Sequence, residues 1–139
     1  MTKDEELAKY LAQIEQYKEQ ISSLEMQFSY LQAAINDYNK AKVTLEHLDK
    51  IDKNTEILIP IGGSTFINAV STDTSKVLFD IGSGIVTEKK TEDVIGRIDK
   101  RLEDLQKTQD RLSSMMQQLQ AEAIDISTKA QKLYEEQQK

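Results

Sequence analysis

Residues 56–90, EILIPIGGSTFINAVSTDTSKVLFDIGSGIVTEKK, decide the fold of this chain. The stretch is rich in β-branched residues and holds four of the five glycines and the only proline. Glycine supplies the positive φ angles that tight hairpin turns require. The segment therefore predicts two β-hairpins. Strands 56–61 and 64–70 are joined through Gly62 and Gly63, and strands 76–81 and 85–88 are joined through Gly82-Ser83-Gly84.

The residues before this segment carry a seven-residue repeat. Its core positions are Leu7, Tyr10, Ile14, Tyr17, Ile21, Leu24, Phe28, Leu31, Ile35, Tyr38, Lys42 and Leu45. Only Lys42 is neither apolar nor aromatic. A heptad repeat of this length is typical of a coiled coil, so the pattern predicts a helix from about Lys3 to His47.

The last third of the chain repeats the pattern. Its core positions are Ile98, Leu102, Leu105, Gln109, Leu112, Met116, Leu119, Ala123, Ile126, Ala130 and Leu133. We expect a second helix from about Glu92 to Glu136, with Thr91 as its N-cap. Gly96 costs about 1 kcal/mol relative to Ala within a helix, which indicates a bend or a close packing contact there.

The two helices are of equal length, which predicts that they pair with each other. If the chain folds back at the hairpins, core positions whose numbers add to about 140 meet in antiparallel layers. Tyr17 then faces Ala123, and Phe28 faces Leu112. Large residues opposite small ones keep the volume of each layer constant. One register thus satisfies both helices.

The fold class is therefore α+β: a long antiparallel two-helix coiled coil with two β-hairpins at one end, which join an oligomeric β-barrel body. We expect three segments, namely helix 1–50, hairpins 51–90 and helix 91–139. Isolated hairpins are marginal and expose unpaired edges, so they need partners from other chains. The predicted subunit interface comprises Ile57, Ile59, Ile61, Phe66, Val77, Phe79 and Ile85.

Apolar residues also gather at the end of the coil that holds both termini, farthest from the hairpins. They are Leu7, Tyr10, Leu11, Ile14, Ile126, Ala130, Leu133 and Tyr134. Leu11 and Tyr134 each lie one position after a core residue, on the same flank of the coil. Apolar surface at an exposed tip often marks a binding site, although ordinary fraying of a rod end explains it as well.

Composition excludes several kinds of chemistry. The chain has no Cys and a single histidine, His47, so a Cys/His zinc site cannot form. No residue set indicates catalysis, a metal site or a cofactor, and both glycine turns run into strands rather than helices, unlike phosphate loops. A net charge of -6 argues against nucleic acid. No span suited to a membrane or a secretory signal is present, which predicts a cytoplasmic protein.

The hairpin sequences LIPIGGSTFINAV (58–70) and VLFDIGSGIVTEK (77–89), flanked by two heptad helices, resemble the alpha-class subunits of prefoldin. Two hairpins rather than one are typical of that class. The resemblance implies an ATP-independent molecular chaperone, in which two alpha and four beta subunits form a hexamer. It also implies that the coil tips hold unfolded polypeptides and pass them to a group II chaperonin. A non-chaperone coiled-coil scaffold, or a filament-forming spacer of the same architecture, is the alternative.

Overall fold

Along the chain, one long helix is followed by four short strands and then by a second long helix. The computed structural model describes residues 2–138. The elements are α1 (Lys3–Leu48), β1 (Glu56–Gly62), β2 (Thr65–Val70), β3 (Lys76–Asp80), β4 (Val86–Lys90) and α2 (Thr91–Gln137). Each helix begins and ends within one residue of the position that the heptad pattern predicts.

The strands form two separate antiparallel hairpins, as predicted. In the first, Ile59 lies opposite Ile67, and an irregularity in register lies between Pro60 and Gly62. In the second, Phe79 lies opposite Thr87. All four turn glycines have positive φ, as do the residues at positions 64 and 83 between or beside them. The turns therefore depend on backbone conformations that glycine adopts without strain.

The chain divides into two units. The coil unit is Met1–Ala34 with Leu105–Lys139, and the hairpin unit is Ile35–Asp104. Each unit draws residues from both helices. The three segments 1–50, 51–90 and 91–139 stay a prediction, because these units follow contacts rather than order along the chain.

Contacts across the coil unit confirm the antiparallel register. Lys3 pairs with Glu136, Gln137 bonds to Asp4, and Gln109 bonds to Gln32, so each pair adds to between 139 and 141. The buried residues of this unit lie on the predicted seams and are Leu24, Leu105, Gln109, Leu112, Ala130 and Leu133. Burial of these side chains is what stabilises the helix pair.

The hairpin unit has its own cross-helix pair and its own small core. Lys42 Nζ lies 2.5 Å from Asp99 Oδ1, and this pair also adds to 141. Ile35, Val94 and Ile98 are buried. Because this core is small, hydrogen bonds also hold the hairpin segments to the ends of the two helices.

Three hydroxyl side chains, Ser71, Thr74 and Thr91, make hydrogen bonds between these segments, and we call them the hydroxyl clasp. Ser71 Oγ donates to the Asp52 carbonyl at 2.9 Å and accepts from the Thr55 N–H at 3.0 Å. Ser71 itself is buried. The clasp thus ties the linker after β2 to the loop that follows α1.

The other two hydroxyls complete the clasp. Thr74 Oγ1 donates to the Ile51 carbonyl at 3.4 Å, and Thr91 Oγ1 donates to the Thr74 carbonyl at 2.7 Å. Thr91 is completely buried. Its hydroxyl therefore connects the start of α2 to the linker between the hairpins.

Gly96 has no close neighbour. A Cβ built there meets no atom within 4 Å outside its own helical turns. The close packing contact that we considered from the sequence is therefore wrong within this chain.

Candidate functional site

The terminal end of the coil unit is closed by polar contacts. Lys3 Nζ lies 3.7 Å from a carboxylate oxygen of Glu136, and Gln137 Nε2 donates to Asp4 Oδ1 at 2.8 Å. All of these side chains are at least partly exposed. Exposed ion pairs contribute about 0 to 1 kcal/mol, so this closure is weak.

The eight apolar residues predicted at this end fall into two groups. Six of them pack between the helices, buried or half-buried: Leu7, Tyr10, Ile14, Ile126, Ala130 and Leu133. Leu11 and Tyr134 instead remain 55% and 52% exposed. We call these two residues the tip surface; the other six lie on the seams of the helix pair.

A shallow groove of about 290 Å³ lies beside this end. Tyr10 and Ile126 provide its apolar part, and Glu6, Lys9 and Gln13 provide its polar part. It lies on the helix surface next to seam residues, so a side chain that entered it would contact the half-buried Tyr10 and Ile126. Contact of any of these residues with a client stays a prediction.

A second group of exposed apolar side chains, which was not predicted, lies along the coil unit. They are Met26, Tyr30, Met115 and Ile124. Met115 lines a groove of about 460 Å³ with Leu24 and Leu119. The signal was present, because these apolar residues stand between the seam positions of the heptad pattern, where polar residues are usual.

The seven residues predicted at the subunit interface also divide. Ile59, Ile61, Phe66 and Ile85 are exposed, whereas Ile57, Val77 and Phe79 are half-buried. Val77 and Phe79 line a groove of about 470 Å³ with residues of both helices, including Ala41 and Val94. The third strand therefore directs these two side chains toward the helices of its own chain. Their role between subunits stays a prediction.

Six further exposed side chains of the hairpins lie outside the predicted set of interface residues. They are Leu58, Ile67, Val70, Leu78, Ile81 and Val86. Leu78 is 75% exposed because it points away from Val77 and Phe79, its neighbours in the strand. The continuous apolar runs LIPI and VLF were the available signal, since strands covered on both faces read in this way.

Two contacts between the helices, one in each unit, raise the pKa of a side chain. The Asp99 carboxylate accepts a hydrogen bond from Lys42 and raises the pKa of that lysine, an effect to which Glu46 also contributes. The amine of Lys42, the one core position of the first helix that is neither apolar nor aromatic, thus meets a carboxylate of α2. In the coil unit, partial desolvation raises the pKa of Tyr17, and the hydrogen-bonded carboxylate of Glu122 raises it further.

The exposed apolar side chains of this structure can bind other polypeptides through apolar contacts. Across residues 2–138 there is no group of three or more His, Cys, Asp or Glu side chains that could hold a metal ion. In the same range, every buried polar side-chain atom has a hydrogen-bond partner. Neither described helix has the length and apolar character to cross a membrane. The exposed apolar side chains described above make the tip surface and the exposed apolar faces of the hairpins the candidate sites.

Solved structures share this arrangement. "Filamentous PFD" from Methanocaldococcus jannaschii has a TM-score of 0.65 and 22% identity, and the match covers 89% of this chain and 97% of that one. The prefoldin beta subunit from Thermococcus strain KS-1 has a TM-score of 0.60 and 13% identity, over 91% and 90% of the two chains. This chain thus shares the fold of these prefoldin structures, two long helices with β-hairpins between them along the chain.

Sequence comparison then gives the family. The prefoldin subunit family matches residues 17–136. The alpha subunit of prefoldin from Archaeoglobus fulgidus is 30% identical over 126 residues, which cover 91% of this chain and 92% of that one. The alpha subunit from Thermococcus onnurineus is 32% identical over 103 residues, covering 73% and 70%. This chain belongs to the prefoldin family and is a subunit of a molecular chaperone.

Proposed function

We propose that this chain captures unfolded polypeptides at the terminal end of its helix pair, while its hairpins join it to beta-class prefoldin subunits. The observation that carries the proposal is the exposure of Leu11 and Tyr134 above a buried seam at that end. Exposed apolar side chains on a well-packed support bind many apolar segments weakly. Useful holding comes from several tips acting on one client, because each raises the effective concentration of the others.

The hairpins support the assembly part of the proposal. Exposed apolar side chains lie on both faces of the first hairpin, since Leu58 and Ile59 are neighbours in one strand and point in opposite directions. A two-stranded ribbon exposed in this way gains stability when other strands cover it. A hexamer of two alpha and four beta subunits, with the hairpins in a β-barrel body, provides that cover.

The remaining steps of the proposal are those that membership of the prefoldin family implies. The chaperone needs neither nucleotide nor catalysis to hold a client, and it transfers the client to a group II chaperonin. We propose that this chaperone acts in the cytoplasm, where newly synthesised chains are still unfolded.

A filament is the second candidate, and one observation favours it. The structure from Methanocaldococcus jannaschii described above is filamentous. The same exposed hairpin faces would then pair with further copies of this chain rather than with beta subunits. Sedimentation of the purified chain with and without a beta-class subunit separates the two assemblies.

The experiment for client capture removes about a dozen residues from each terminus, which deletes Leu11 and Tyr134 with the layers beneath them. The truncated chain is assembled with a beta-class subunit, and aggregation of a chemically denatured model protein is followed by light scattering without nucleotide. We expect intact assembly and loss of protection. The double variant Lys3→Gln/Glu136→Gln, which removes only the exposed ion pair, is the control and should protect normally. Full protection by the truncated assembly would place the client site elsewhere.

A further inference from the structure

The hairpin unit holds a groove of about 260 Å³ that shares Phe79 with the predicted subunit interface and no residue with the tip surface. Its floor is formed by Tyr38 of α1, Phe79 of β3 and Ile98 of α2. Pockets for small molecules are usually about 300 to 1,000 Å³, so this groove suits one large apolar side chain rather than a cofactor.

The rim of the groove is cationic. Arg97, Lys100 and Arg101 line it, and all three are exposed. Within residues 2–138 none of the three has a carboxylate partner. Asp104 also lines the groove, but it has an interaction partner of its own in the chain. Three cations without a carboxylate partner thus lie within five residues of a chain whose net charge is -6.

The positions of the arginines favour carboxylates as ligands. Arg97 and Arg101 are one helical turn apart, so they lie on the same face of α2. A guanidinium group binds a carboxylate through two parallel hydrogen bonds, and two such groups over an apolar floor fit acidic residues on either side of an apolar one.

We propose that this groove binds acidic segments of client polypeptides that carry a large apolar side chain, as a second client site. The inference builds on the proposed chaperone function and adds a charge preference, which the tip surface does not have. Charge complementarity selects the client segment, and the floor of Tyr38, Phe79 and Ile98 holds its apolar side chain. A chaperone with both sites retains clients too acidic to be held by apolar contact alone.

The test uses a fluorescein-labelled peptide, Asp-Glu-Phe-Glu-Asp, and the assembled chaperone, with binding followed by fluorescence anisotropy. The variant Arg97→Glu/Arg101→Glu should weaken binding about tenfold or more, because two attractive contacts become repulsive. The control Lys18→Glu/Lys132→Glu makes the same change of charge at exposed positions of the coil unit and should leave binding within about twofold. Circular dichroism checks folding, and Arg97→Gln/Arg101→Gln gives a milder second variant.

Three outcomes would overturn the proposal. The first is equal affinity of the groove variants and the wild type. The second is equal affinity for a peptide with Ala in place of Phe, which would show that the floor takes no part. The third is loss of assembly in the groove variants, which would show that a neighbouring subunit occupies the groove. The tip-truncated assembly should still bind the acidic peptide, so failure of tip capture is distinguishable from failure of this site.

Discussion

Gln109 Nε2 donates a 2.9 Å hydrogen bond to Oε1 of Gln32, 77 residues earlier in the chain. Gln109 is buried on the seam of α2, and its own Oε1 faces Gln106 Nε2 at 3.4 Å. A shift of one heptad would carry Gln109 away from Gln32 and leave a buried amide without this partner, at a cost of about 1 to 3 kcal/mol. The pair therefore helps to select one antiparallel register.

Replacing Gln109 with Leu should make the antiparallel register of the two helices less specific. We expect the free energy of unfolding to stay within about 1.5 kcal/mol of the wild type, because an apolar residue suits the seam, while additional oligomeric species appear. Light scattering coupled to size-exclusion chromatography counts the species. Gln117→Leu, at an exposed position of the same helix, is the control. A single unchanged species for Gln109→Leu would show that the apolar layers select the register alone.

The hydroxyl clasp should matter for stability. Thr91→Val keeps the shape of the side chain but removes the donor to the Thr74 carbonyl, so we expect a loss of about 1 to 3 kcal/mol in the free energy of unfolding. Urea unfolding followed by circular dichroism measures it. Thr72→Val, at an exposed position of the same linker, should change stability by less than about 0.5 kcal/mol. Equal stabilities of the two variants would contradict the role of the clasp.

Polar substitution of the tip surface should separate client holding from folding. The double variant Leu11→Ser/Tyr134→Ser should lose at least about half of its protection of a denatured client and keep its melting temperature, since both side chains are exposed. Tyr30→Ser is a matched control, because Tyr30 is an exposed aromatic residue of the coil unit outside the tip. If Tyr30→Ser lowers protection as much, clients bind along the coil rather than at its end.

Gly96→Ala should stabilise the chain. Space is open around this position, and Ala is favoured over Gly in a helix by about 1 kcal/mol, so the free energy of unfolding should rise by about that amount. Thermal unfolding of the isolated chain measures the effect. If the same variant weakens assembly with a beta-class subunit, the missing side chain serves close approach of a partner. A fall in the stability of the isolated chain would contradict the open space seen here.

Asp73 should give the chain an acid-dependent contribution to stability. The Ser75 hydroxyl and the Ser75 N–H both donate to its carboxylate, and Lys53 and Lys76 add favourable charge, so the pKa of Asp73 lies below its ordinary value of 3.8. A carboxylate with a lowered pKa stabilises the fold above its ordinary pKa, and the contribution is lost as pH falls through the lowered value. The difference in stability between wild type and Asp73→Asn should therefore be constant near neutral pH and shrink below about pH 3.8. A difference independent of pH would contradict this.

Much of the fold followed from local patterns. The heptad repeats predicted both helices to within one residue at each end, and glycines at four turn positions predicted the two hairpins. The register also followed, because helices of equal length with large residues opposite small ones favour the alignment in which paired residue numbers add to about 140. The sites were predicted less well. The sequence grouped Leu11 with Leu133, and Phe79 with Phe66, although the structure exposes one member of each pair more than the other.

The sequence alone determined the elements, their order and the pairing of the helices, because periodicity and turn chemistry are properties of neighbouring residues. Only the tertiary structure decided which apolar side chains remain exposed, since exposure depends on what other elements bring against each residue. It placed Phe79 beside Tyr38 and Ile98, and it joined Thr91 to Thr74 across 17 residues. It also placed Arg97 and Arg101 at the rim of an apolar groove that no local pattern marks. These sites depend on contacts between residues that are distant in the chain, and such contacts form only when the elements pack together.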